Sequence, residues 1–170
     1  VLRARLADGQ FFFKSDLQET FEQRVEKLKG VLFQAKLGTV HQKVQRVQKL
    51  AEYLATAAGK GATVKKQVSR AAWLCKADLV SSVVNEFPKL QGVMGRVYAL
   101  IDKEPKNVAD AIEEHYRPTY SGGPLPETVT GGLLSIADKI DSICGFFSVG
   151  LTPTGAADPY ALRRQGIGII

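Results

Sequence analysis

The sequence predicts an all-α fold with a short β remnant at its N-terminus, on three observations. Most of the chain carries apolar residues at three- and four-residue spacing, as helices that bury one face do. Breaks in that pattern fall at Gly, Pro and loop-forming clusters. Strand-like alternation is confined to the opening "VLRARL". A length of 170 residues suits a single domain that buries most of its apolar surface, and a hydrophobic content of 45% places the chain among globular rather than disordered sequences. No apolar run approaches the roughly 20 residues needed to cross a bilayer, so no membrane partner is expected. The start lacks the apolar core and cleavage site of a signal peptide. With no initiator Met and a strand whose partners are missing, the chain reads as an excised piece of a longer protein.

Each element follows from its residues. Residues 1–13 read as the tail of a preceding unit, and residues 14–170 as the helical domain. In "SDLQETFEQRVEKLKGVLFQ", Leu17, Phe21, Val25, Leu28 and Leu32 form one stripe, and Ser15 with Gln18 has the spacing of a capping box. Thr39 and Gln42 repeat that spacing and open a second helix with Val40, Val44, Val47, Ala51, Leu54 and Ala58 inward, closed by "GKGA". A third helix is predicted from about 63 to 86, carrying Val68, Ala72, Cys75, Leu79 and Val83 on one side. Pro88 ends it, because the residue before a proline is disfavoured in helix. "KLQGVMGRVYALID" is short, with two glycines that suit tight packing. Pro105 suits the first position of a helix ending near His115. After the loop "RPTYSGGPLPE", a helix from about 128 to 147 turns Leu133, Ile136, Ala137, Ile140, Cys144 and Phe147 inward. The stretch "YALRRQGIGII" opens a last one.

Cys75 and Cys144 lie far apart in apolar patterns, which suits buried thiols in a reducing compartment rather than a disulfide. The net charge of +6 is unevenly spread. Residues 14–76 hold 13 Lys/Arg against 5 Asp/Glu, whereas residues 77–170 hold 8 against 11. A field of that sign attracts an anionic polymer such as RNA, the alternative being solvated basic faces. No GxSxG, GxGxxG or P-loop is present, and "GLTPTG" lacks the lysine of a phosphate loop.

Four polar residues stand out. His41 and Asp78 lie at the edges of the second and third stripes, His115 precedes the Gly/Pro loop, and Asp138 follows Ala137. Imidazoles and carboxylates converging from separate helices are what a divalent metal requires. In order, "TVHQKVQRVQKLA", "LCKADL", "IEEHYRPTYSGGPLP" and "IADKIDSI" resemble the HD superfamily of metal-dependent phosphohydrolases, with Ala77 where the His of the His-Asp pair is expected. The resemblance implies an HD-like helical fold. With Ala77 in a central ligand's place, a metal held by His41, Asp78 and Asp138 would be weak and its water poorly activated. These positions and His115 therefore read as vestigial, and neither metal nor catalytic residue is expected. Alternatively, Asp78, Asp138 and Asp141 make buried hydrogen bonds or ion pairs with Lys or Arg, and His115 caps a helix.

Longer runs carry a more specific resemblance. "NEFPKLQGVMGRVYA", "VADAIEEHYRP", "LPETVTGGLLSIADKIDSICGFFSVGLTPTG" and "DPYALRRQGIGII", together with the opening "VLRARLADGQFFFKSDL", are similar to the bacterial-type glycyl-tRNA synthetase beta subunit over almost the whole chain. Departures are small: Gly9 where Ala is usual, and Ala156–Ala157 in place of a pair containing lysine. The resemblance implies that this segment is the central, HD-like domain of the beta subunit. It implies a non-catalytic part of a glycine–tRNA ligase whose alpha subunit carries the class II site and uses ATP and Mg2+. No cofactor is expected in the segment itself. The expected partners are the alpha subunit, the other beta domains and tRNA-Gly, in a bacterial cytoplasm or a plant plastid or mitochondrion. Phosphate contacts from rigid elements position tRNA without reading its sequence. The candidates are Lys43, Arg46 and Lys49 on the second helix, Lys65, Lys66 and Arg70 entering the third, and Arg163 and Arg164 in "LRR". Each is alternatively a solvated face or an internal ion pair. A purely structural inter-domain or inter-subunit scaffold and a residual HD-type phosphohydrolase are the competing readings.

Overall fold

Helix ends set the first boundaries. Thr39 accepts from Gln42 N at 3.3 Å while the Gln42 side chain accepts from Thr39 N at 2.9 Å, the reciprocal cap that the spacing predicts. The other reciprocal cap is formed by Thr20 and Gln23, not by Ser15 and Gln18, because residues 15 and 16 still belong to the preceding helix. The computed structural model describes residues 2–155 and 157–170, with Leu2 and Ala4 by backbone alone. Val1, the first residue of the strand-like stretch, and Ala156 lie outside the described residues.

The element order is α1 (Leu2–Asp16), α2 (Phe21–Lys27), β1 (Leu32–Gln34), β2 (Gly38–Thr39), α3 (Val40–Ala57), α4 (Ala62–Leu74), α5 (Ser82–Glu86), α6 (Val93–Ile101), α7 (Lys106–Glu114), α8 (Val129–Ser148) and α9 (Leu162–Ile167). The fold is all-α, as the periodicity predicts. Its β element is displaced from where it was expected: residues 2–6 are helical, and the antiparallel pair β1–β2 joins Leu32 to Thr39 instead. Alternation misleads at the start because residues 2–16 contain no β-branched side chain, so propensity favours helix. α1 continues unbroken across the predicted boundary at residue 13. Asp16 ties its end to the rest, accepting from Ser82 N (2.8 Å), Val83 N (3.0 Å) and the Tyr98 hydroxyl (2.6 Å). Gly38 turns the hairpin with φ +85°, and a side chain there would collide with the Gln42 amide that closes the cap.

The predicted helix 63–86 is divided. α4 stops at Leu74, residues 77–80 make a 3₁₀ turn, and α5 restarts on Ser81, whose hydroxyl accepts from Val84 N at 3.2 Å and donates to the Asp78 carbonyl at 2.7 Å. Ser81 competes for backbone partners that a continuous helix would use. α3, α4, α7 and α8 form the centre, with α6 packed on α7. Small buried residues (Ala51, Ala55, Ala71, Ala72, Ala109, Ala111 and Ala137) let these helices approach closely around Leu74, Ile112 and Leu134. Cys75 is fully buried, whereas Cys144 is exposed, and Phe146 rather than Phe147 turns inward at the end of α8. Among the described residues, no helix is long and apolar enough to cross a membrane.

Candidate functional site

Helical spacing assembles a charged cluster at one end of the central bundle. On α3, Lys43 and Arg46 are three residues apart and share a face; on α8, Asp138, Asp141 and Ser142 do the same. Lys76 follows the end of α4, and His115 is the C-cap of α7. Lys43 Nζ lies 3.0 Å from Asp138 Oδ1, without a well-directed hydrogen bond to it, and donates to Asp141 Oδ2 (3.0 Å) and the Ser142 hydroxyl (2.8 Å). Arg46 Nε donates to Asp141 Oδ1 at 2.7 Å. Lys76 Nζ donates to the other oxygen of Asp138, Oδ2, at 2.9 Å and lies 2.7 Å from His115 Nε2. His115 Nδ1 faces the Ile112 carbonyl at 2.6 Å, which places the ring proton on Nδ1 and leaves Nε2 to accept from the ammonium. Lys139 donates to the carbonyls of His115 and Arg117 and to the Ser135 hydroxyl.

The electrostatics follow from this packing. Burial would raise the Asp138 carboxyl, but Lys43 and Lys76 outweigh it and hold the group well below the usual carboxylate range. Burial, then the Lys76 charge, pushes the His115 imidazole well below its ordinary value, so it is neutral. Burial brings the Lys139 ammonium down to about 8. The cluster forms the floor of a cavity of about 410 Å³. Gln91, Tyr116, Thr119 and Arg164 also line it, with Phe33 and Tyr160.

The four residues expected to converge do not. His115 and Asp138 meet, with the Lys76 ammonium bound to both. His41 turns to the edge of Trp73, with ring centroids 5.5 Å apart, and its Nε2 lies 3.9 Å from Glu26. Asp78 faces α6, where its Oδ2 accepts from Gly92 N (2.6 Å) and Gly95 N (3.1 Å). The cause is the break after Leu74: the 3₁₀ turn directs Asp78 away from α8 and leaves Lys76 facing it. Ala77, the position expected to have lost a histidine, is fully buried in the apolar core. Among the described residues no three of His, Cys, Asp and Glu are grouped as metal donors. Lys76 and Lys139 were missed in the sequence because a lysine beside an apolar run reads as solvated. The only clue was their adjacency to Cys75 and Asp138.

The basic candidates divide into three kinds. Lys43 is 4% exposed and belongs to the interior cluster, so it presents no ammonium to an external phosphate. Arg46 is paired with Asp141, and Arg70 with Glu104 and Glu22 at 2.6 and 2.7 Å. Lys49, Lys65 and Lys66 make no side-chain hydrogen bond or ion pair among the described residues, and Lys49 and Lys66 are exposed. Arg163 donates to the carbonyls of Thr154 and Gly155, bracing the C-terminal loop, whereas Arg164 lines the cavity.

The whole chain, residues 1–170, matches the sequence profile described as Glycyl-tRNA synthetase beta subunit. It is 58% identical over all its 170 residues to the glycine–tRNA ligase beta subunits of Citrifermentans bemidjiense, Desulforapulum autotrophicum and Geobacter sulfurreducens. It spans 24%, 25% and 24% of the length of those relatives.

Proposed function

The chain belongs to the glycyl-tRNA synthetase beta-subunit family, and from that premise we propose that it is a non-catalytic domain of a glycine–tRNA ligase that helps to hold tRNA-Gly. The observation that carries this reading is the set Lys49, Lys65 and Lys66. These ammonium groups on α3 and α4 are left over after the neighbouring cations are spent on carboxylates. The two helices are tied at that level by Gln48, whose amide donates to the Ser69 hydroxyl at 3.0 Å. Free lysines on packed helices suit backbone phosphates, which position a duplex without reading it. Glycine activation with ATP and Mg2+ is assigned to a separate alpha subunit, and the compartment to a bacterial cytoplasm or a plant organelle. The HD-like reading stays part of this proposal and rests on the order of the motifs around His41, Asp78, His115 and Asp138.

The test is aminoacylation by the complete alpha–beta enzyme with all three lysines changed to alanine. The KM for tRNA-Gly rises, the salt slope of tRNA binding falls by about one per lost contact, and glycine-dependent ATP–pyrophosphate exchange is unchanged. An unaltered KM and slope favour the second reading, an inter-domain or inter-subunit scaffold. That alternative draws on the exposed apolar side chains Leu6 and Phe11 of α1 and Leu100 and Ile101 of α6. A residual phosphohydrolase is disfavoured because both Asp138 and His115 Nε2 are bound to an ammonium group.

A further inference from the structure

We propose that the cavity above Lys76, His115 and Asp138 is a binding site for a small phosphate-class oxyanion. Its lining holds four basic side chains, Lys43, Lys76, Lys139 and Arg164, against one carboxylate, Asp138, with His115 neutral. A cavity of about 410 Å³ lies in the size range of small-ligand sites, and an excess of positive charge on its walls, from three buried lysines and the exposed Arg164, selects an anion.

The hydrogen-bond inventory shows which groups are free to bind. Lys43 and Lys139 have spent their protons on oxygen acceptors of the fold, so they contribute field rather than bonds. Lys76 has three N–H groups and two polar partners, and its Nζ also lies 4.2 Å from the centroid of the Tyr116 ring, so a phosphate oxygen would take the third N–H in place of that ring. Arg164, in the two-turn helix α9, has no side-chain partner among the described residues and lines the same cavity, so its guanidinium fork is free for two oxygens of one phosphate. Gln91 spends one amide proton on the Tyr116 hydroxyl and keeps the other. With Lys76 held on both His115 Nε2 and Asp138 Oδ2, the donors are arranged to bind an oxyanion and not to transform it. The site is separate from Lys49, Lys65 and Lys66, so its failure and that of the tRNA proposal are told apart by which variants act.

The experiment is calorimetric titration of the folded 170-residue chain with inorganic phosphate and with pyrophosphate, repeated on the complete alpha–beta enzyme for phosphate. One saturable site is expected, weakened about tenfold by Arg164→Ala and unaffected by Arg163→Ala. Arg164 is exposed and unpaired, so its loss leaves the fold intact; Lys76→Met, checked by circular dichroism, abolishes binding in the second arm. Absence of saturable binding at millimolar phosphate overturns the proposal, as does binding that both variants leave unchanged. Loss of tRNA affinity in Arg164→Ala without any response to phosphate assigns the contact to RNA and overturns it as well.

Discussion

Asp138 and Asp78 are buried carboxylates in helical surroundings, yet their partners give them opposite roles. Asp138 stands between Lys43 and Lys76, and neutralising it leaves the buried Lys76 ammonium without a carboxylate, while Lys43 keeps Asp141. Asp138→Asn is expected to cost about 3–5 kcal/mol of unfolding free energy. Asp78 has only backbone partners, and burial already raises its carboxyl. Asp78→Asn keeps an oxygen for Gly92 N and Gly95 N and is expected to cost less than about 1.5 kcal/mol. Urea titrations of both variants check the ranking, and equal costs would remove the argument. At this scale the sequence was half informative. Residue types and loop context marked His115 and Asp138, which do meet, but the stripe edge misplaced His41 and Asp78. A helix period carried through residues 74–80 assigns the wrong side chain to the α8 face.

Helix existence was legible for α3, α7 and α8, but the stripe from Leu17 to Leu32 was not one helix: only Phe21–Lys27 is α-helical, and Leu32 lies in β1. α3 and α8 begin beside the threonines that the sequence points to, and α7 follows Pro105 directly. The N-terminal helix was hidden by the alternation of "VLRARL", although its propensities favour helix. The break after Leu74 was hidden because Ser81 takes local backbone partners and Asp16 binds Ser82 N and Val83 N from a distant helix. Glycines within helices make the same point in energetic terms. A methyl at Gly95 of α6 would sit 2.7 Å from Ile112 Cγ2 of α7, whereas one at Gly132 of α8 meets nothing within 4 Å. Gly95→Ala should therefore destabilise by about 1–3 kcal/mol as α6 and α7 are forced apart. Gly132→Ala should stabilise by about 0.5–1 kcal/mol through backbone entropy. Thermal unfolding of the two variants gives opposite shifts in Tm; shifts of the same sign contradict this packing account.

Over the whole molecule, the basic first half is plain in the sequence, but its availability is not. Pairing with acids that lie 34 to 98 residues away consumes Lys43, Arg46 and Arg70, and such pairs cannot be counted from composition. One long-range acid also contributes to how the molecule responds to pH. Burial would raise Asp16, yet the bonds from Tyr98, Val83 and Ser82 prevail and its carboxyl is lowered. Its folded value lies below the unfolded one, so its contribution is complete above about pH 4 and is lost as pH falls through the folded value. Asp16→Asn should lose roughly 1.5–3 kcal/mol at neutral pH and flatten the acid limb of the stability profile. An unchanged acid limb in denaturant melts at several pH values would show that α1 is held by other contacts. The cluster at the other end of the bundle has a consequence of supply. The cation between His115 and Asp138 is a side chain. It arrives with synthesis in a fixed one-to-one ratio, cannot exchange with the medium, and leaves every folded copy equally charged whatever ions surround it.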